Sequence, residues 1–148
     1  MAKQTLIPDL IEKFWETITP AWHATRAHIR KVASENFHLT VEQFQVLRRI
    51  HRGVESVSAL AEANRTSRSS VSKAVDALVN KGLVSRNTDA HDRRHVHLSL
   101  TGEGERVLSA IYAETEAWLA ARFARLTPEE LAETLHSLDL LRKAFAED

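Results

Sequence analysis

There is no cysteine among the 148 residues, which excludes disulfides, thiolate nucleophiles and thiol-based redox sensing. Long apolar runs are also missing, and those present are far too short for a membrane-spanning helix. The opening stretch MAKQTLIPDLIEKFWE lacks the apolar core and small-residue cleavage site of a secretory signal. The 4 glycines are scattered, so no glycine-rich loop can cradle a phosphate, and no G-x-S-x-G elbow presents a serine. Serines, histidines and carboxylates are available, but nothing in their spacing pairs them for catalysis. No low-complexity tract or internal repeat is evident. A soluble, cytoplasmic, non-enzymatic protein of one compact domain, without a cofactor, is the expectation.

Net charge is absent too, with 20 Lys and Arg against 20 Asp and Glu. Taken alone, that argues against a nucleic-acid partner, but the distribution says otherwise. Residues 1–47 carry 5 basic and 5 acidic side chains, residues 48–97 carry 10 and 5, and residues 98–148 carry 5 and 10. A basic middle between a neutral and an acidic segment fits a DNA-reading core with other work at its ends.

The apolar spacing gives mostly helices. Ile7, Ile11, Phe14 and Ile18 share one stripe with Leu10 beside it. Thr19-Pro20 reads as a cap and first helical position, opening a second helix or a kinked continuation that carries Trp22, Ile29 and Val32. Thr40-Val41-Glu42-Gln43 is a capping box opening a helix with Val41, Phe44, Leu47 and Ile50 inward. Ser56 caps a short helix with Val57, Leu60 and Ala61 inward. After a turn at Asn64-Arg65-Thr66, Ser67 caps another, with Val71, Ala74, Val75 and Leu78 inward, stopped at Lys81-Gly82.

The period then changes to two. Leu83–Arg86 is a strand candidate, and His95–Leu100 alternates with Val96, Leu98 and Leu100 inward. The polar loop from Asn87 to Arg94 joins them. Thr101 caps a long helix carrying Leu108, Ile111, Thr115, Trp118, Leu119, Phe123 and Leu126. Thr127-Pro128-Glu129-Glu130 starts a last one, with Leu131, Leu135, Leu138, Leu141 and Phe145 along one side.

Two short helices joined by a tight turn hold the second against a duplex, because the first braces it across the backbone. The second helix offers Ser67, Arg68, Ser69, Ser70, Ser72 and Lys73, concentrated at its start. Small hydroxyls let a helix sink into the major groove, an arginine forks onto guanine or phosphate, and a lysine suits a phosphate. The helix N-terminus adds unpaired N–H groups.

The run from Leu39 to Thr101 resembles the MarR family of bacterial winged-helix regulators. The likeness lies in LTVEQFQVLRRI, in SVSALAEANRTSRSSVSKAVDALVNKGLVSR and in DAHDRRHVHLSLT. It implies a mainly α fold: a winged helix-turn-helix lobe over 39–100, of three helices and a two- to three-stranded β wing. Dimerisation helices over 1–36 and 101–148 would flank it. It also implies a homodimer on a palindromic double-stranded operator, and a repressor relieved by a small ligand. Asp92-Arg93-Arg94 matches the family's wing motif. There an arginine enters the minor groove and the aspartate holds its geometry; Arg94 is assigned the groove and Arg93 a phosphate, or the reverse. His91 sits beside them, and Arg65 adds a phosphate contact from the turn. Two departures stand out. The family's frequent turn glycine is replaced by Asn64-Arg65-Thr66, where asparagine tolerates left-handed angles. Ala90 stands where a wing proline is common, implying a looser wing.

A single winged helix reads too few base pairs to be selective, so two copies at fixed spacing are expected. Phe14, Trp15, Trp118, Phe123 and Phe145 exceed what a small helical core needs. They form a dimer interface or pack back on their own chain. Ligands in this family are often aromatic and anionic, and Trp22, His23, Arg26, Phe44 and Tyr112 are the expected lining. Two readings compete. His91, His95 and His97 with Asp89 or Asp92 would be a metal sensor, although no cysteine completes a site. A winged helix devoted to protein binding would need an apolar recognition face.

Overall fold

The computed structural model describes residues 2–146; residue 1 and residues 147–148, the ends of the expected flanking segments, lie outside the described residues. The order is α1 (Ala2–Phe37), α2 (Val41–His51), α3 (Val57–Asn64), α4 (Arg68–Asn80), β1 (Val84–Thr88), β2 (Val96–Leu100), α5 (Gly102–Phe123) and α6 (Pro128–Ala144). The chain packs as two units, one up to Thr115 and the other from Glu116.

Hydroxyl caps set the helix starts. The Thr40 hydroxyl accepts from the Gln43 N–H at 3.1 Å while Gln43 Oε1 accepts from the Thr40 N–H at 3.2 Å. Thr127 and Glu130 repeat that reciprocal pair at the head of α6. Ser56 and Ser67 each accept from the backbone N–H three residues on, satisfying donors that a helix start leaves bare.

Helix α1 runs unbroken through Pro8 and Pro20, so Thr19 caps nothing. Pro20 has no N–H for the Glu16 carbonyl, yet both residues lie on an exposed face, where solvent can reach that carbonyl.

The core of the first unit gathers one face of every element in it. Val46, Leu47, Leu60, Val71, Val75, Leu78, Leu108 and Ile111 have almost no exposed surface. Two inward assignments are corrected. Val41, the first residue of α2, is exposed, and Val46 is buried instead. Val96 is exposed because it pairs with Thr88 at the far end of the hairpin, beyond the core that covers Leu98. The hairpin is antiparallel, pairing Val84 with Leu100, and its first strand extends past Arg86 to Thr88. Among the described residues the sheet has two strands. In place of a third, the Leu98 N–H donates to the Glu55 carbonyl at 2.8 Å.

Candidate nucleic-acid interface

The turn between α3 and α4 is left-handed at one residue, and that residue is Arg65 (φ 52°, ψ 47°). The expectation that Asn64 would take this conformation is corrected. Asn64 remains the last helical residue of α3, its side-chain oxygen accepting from Arg49 Nε. The turn closes because the Thr66 N–H reaches back to the Ala61 carbonyl at 3.0 Å. An L-residue here costs about 1 kcal/mol or somewhat more. Arg65→Gly should therefore raise stability by about 1 kcal/mol in chemical denaturation. An unchanged midpoint would mean the backbone at Arg65 carries no penalty.

Beyond that turn, α4 divides cleanly. Val71, Ala74, Val75 and Leu78 are in the core, while Arg68, Ser69 and Lys73 are exposed. Ser67, also exposed, is occupied as the cap. Ser72 is half-buried. Ser70 is half-buried too, and its hydroxyl turns away from solvent to donate to Glu42, at 2.8 and 2.9 Å from the two carboxylate oxygens. Sequence reasoning gave Glu42 no role, since it lies 28 positions from Ser70.

The wing is held at its base and organised at its tip. Arg86 on β1 pairs with Asp76 on α4. His97 Nδ1 lies 3.1 Å from Glu55 Oε2, beside the Leu98 bond to the Glu55 backbone. At the tip, Asp92 Oδ1 accepts from the Arg94 N–H at 3.0 Å and from Arg94 Nε at 3.3 Å. The Asp89 side chain accepts from the His91 N–H at 2.9 Å. Arg93 and His91 are exposed, and the Arg94 side chain is 92% exposed despite its tie to Asp92. His95 leans on Asp92 at 3.6 Å and His97 on Glu55, so separate carboxylates engage these two histidines. Among the described residues no three metal-ligating side chains converge.

A second feature lies between α1 and α2: a cleft of about 50 Å³ lined by Trp22, Arg26, Ile29, Arg30, Val41, Phe44, Gln45 and Arg48. It brings together Trp22, Arg26 and Phe44 of the expected ligand residues; exposed His23 and half-buried Tyr112 are outside its lining. The Arg26 guanidinium lies 5.8 Å from the centre of the Trp22 ring. Arg48, not anticipated from sequence, follows Phe44 at the helical spacing of four, a signal that could have found it. Its Nε is buried without a hydrogen-bond partner. Burial first, then neighbouring Arg52, hold the Arg48 guanidinium below its usual pKa; Arg49 and Arg26 push the same way and Tyr112 opposes them. A bound anion would offset the cost of burying that charge.

Residues 38–95 match the MarR family. The transcriptional regulator HosA of Escherichia coli O127:H6 is 36% identical over 94 residues, 62% of this chain and 69% of that protein. The transcriptional repressor MdtR of Bacillus subtilis is 33% identical over 96 residues, 65% of this chain and 62% of its own length, which is less than two thirds of that relative. Among solved structures, a transcriptional regulator of Thermotoga maritima superposes with a TM-score of 0.82 at 24% identity, covering 90% of this chain and 94% of that one. A variant of S. aureus MepR bound to an oligodeoxyribonucleotide superposes at 0.72 with 19% identity, covering 90% and 98%. These two share the winged-helix fold described above.

Proposed function

Because the chain belongs to the MarR family of transcriptional regulators, we propose that it binds double-stranded DNA as a homodimer and represses transcription until a small anionic, aromatic ligand releases it. Membership sets it among regulators and apart from enzymes. The observation that carries the DNA reading is the division of α4, whose apolar face fills the core while Arg68, Ser69 and Lys73 stand exposed at its start. That helix is the major-groove reader, with Arg68 and Ser69 nearest the bases, Ser67 and Ser72 at its margins, and Lys73 and Arg65 on phosphates. Arg94 enters the minor groove, and Arg93 and His91 face phosphates. The basic balance of residues 48–97 and the DNA-bound state of the S. aureus relative support the same reading. Among the described residues no helix is long and apolar enough to cross a membrane, and a DNA partner places the protein in the cytoplasm.

Dimerisation is supported by apolar residues that the single chain leaves in water. On α1 these are Leu6, Ile7, Leu10, Ile11 and Trp15; on α6, Leu135, Leu138 and Leu140, with Phe145 just past its end. An exposed apolar face of this kind on each helix marks an interface. Leu10→Glu should shift the species seen in sedimentation from the mass of two chains to that of one. A two-chain species in the variant would remove α1 from the interface.

For the ligand, Arg48 and Arg26 would hold the anion and Trp22 and Phe44 the ring, while Tyr112 and His23 stand outside the lining. At about 50 Å³ the cleft is smaller than the roughly 150 Å³ that admits a benzene ring, so an aromatic acid must widen it on binding. The test is a titration of the protein's own upstream DNA and a scrambled duplex at two salt concentrations, repeated with a panel of aromatic acids. Tight, salt-sensitive preference for the upstream DNA, weakened by one of the acids, is the expected result. Salt-independent or absent binding to both duplexes would overturn the DNA reading, and a panel without effect would overturn the ligand.

A further inference from the structure

Glu42 is the second residue of α2, behind the cap Thr40, and Ser70 is the third residue of α4. One hydroxyl proton from Ser70 is shared between both oxygens of the Glu42 carboxylate, at 2.8 and 2.9 Å. The Ser70 N–H meanwhile donates to the Ser67 cap at 3.1 Å. The first turn of α4 is thus fixed from inside by its cap and from outside by a charged group on another helix. A hydrogen bond to an ionised acceptor is among the stronger neutral-donor bonds available.

The same carboxylate has an electrostatic consequence. It lies in the first turn of α2 and bonds into the first turn of α4, where both helices present the positive ends of their dipoles. Glu42, Ser70 and Lys73 also line one shallow groove with Thr40, Gln43 and Ala74. A bare helix N-terminus beside a lysine attracts any phosphate, whatever the base sequence. A fixed negative charge there lowers that attraction, while the Ser70 bond ties down the helical turn that carries Arg68 and Ser69.

We propose that Glu42 is a positioning residue that sets the sequence specificity of α4, acting through Ser70 and through its own charge without touching DNA. This rests on the DNA reading of α4 given above. It predicts opposite signatures for two substitutions. Glu42→Gln keeps an oxygen for Ser70 but removes the charge. Ser70→Ala keeps the charge but removes the brace.

The experiment uses the full chain, a duplex it selects from a random-sequence pool, and an unselected duplex of equal length. Glu42→Gln should raise affinity for the unselected duplex about three-fold while the selected one moves less than two-fold. Ser70→Ala should weaken the selected duplex about five-fold and leave the unselected one nearly unchanged. Ser70→Thr, which restores the hydroxyl, should return both affinities to the wild-type values. If Glu42→Gln leaves both affinities alone or raises them equally, Glu42 does not set specificity. The same follows if Ser70→Ala changes thermal stability but not the ratio of affinities. Wild-type protein that enriches no sequence from the pool would instead sink the DNA reading, and the inference with it.

Discussion

Gly104→Ala should lower the thermal midpoint by about 10 °C, the equivalent of roughly 3 kcal/mol for a chain of this size. Gly104 is buried in the first turn of α5, and a Cβ added there would lie 2.1 Å from the Leu83 carbonyl oxygen and 3.0 Å from its carbon. Relief by a small rotation is closed off. That oxygen accepts from the Thr101 N–H at 3.0 Å, and the Leu83 N–H is committed to the Leu78 carbonyl at 2.9 Å. The Leu83 side chain is itself in the core. The corner where α4 turns into the wing and the start of α5 must therefore separate, or the Thr101 bond must break. Gly102 supplies the control, since nothing lies within 4 Å of a Cβ placed there. Gly102→Ala should be neutral or stabilising by up to about 1 kcal/mol, through a less flexible unfolded chain. Both midpoints need measuring at one protein concentration, because any dimerisation adds to stability by mass action. A Gly104→Ala protein that melts with the wild type would show that α5 and the Leu83 corner can part without cost.

The contrast between those two glycines shows which parts of this fold the sequence spells out. Caps are local, and Thr40 with Gln43 or Thr127 with Glu130 can be read because both partners lie within one turn. The same holds for the switch from helical to alternating period that announces the wing. The close approach at Gly104 cannot be read, because it depends on a carbonyl that arrives from a different element. Inward faces were legible in phase but not in extent. Val41 and Val96 are exposed although the period points them inward, because burial depends on where the opposing surface begins and ends. Arg65 taking the left-handed position shows tertiary contact overriding local preference. Asparagine suits that conformation better, but Asn64 is held in the helix by Arg49. In the candidate interface the exposed serines, arginines and lysine could be listed from sequence. The bond that ties the Ser70 hydroxyl to Glu42 could not, because Glu42 is a remote partner.

At the wing tip, geometry and charge make opposed predictions, which gives the second test its force. Arg94→Ala should weaken binding to every duplex on the order of 30-fold and reduce the salt dependence by about one counterion, because on the proposed DNA reading it removes the cation assigned to the minor groove. Asp92→Ala removes a negative charge from the same region, so electrostatics alone would have it bind DNA more tightly. The structure argues the reverse. Asp92 Oδ1 accepts from both the backbone and the Nε of Arg94, which closes the turn and limits the directions open to a side chain that is otherwise in solvent. Without it, Arg94 must be ordered anew at each encounter. Asp92→Ala should therefore weaken binding about five-fold despite the favourable change in charge. The double variant separates the two contributions. If Asp92 acts through Arg94, adding Asp92→Ala to Arg94→Ala should cause no further loss, and the leftover charge effect should tighten binding slightly. Tighter binding by the single Asp92→Ala protein would mean that charge governs the wing and that Asp92 holds nothing in place. Losses that add in the double variant would give Asp92 a role of its own, independent of Arg94.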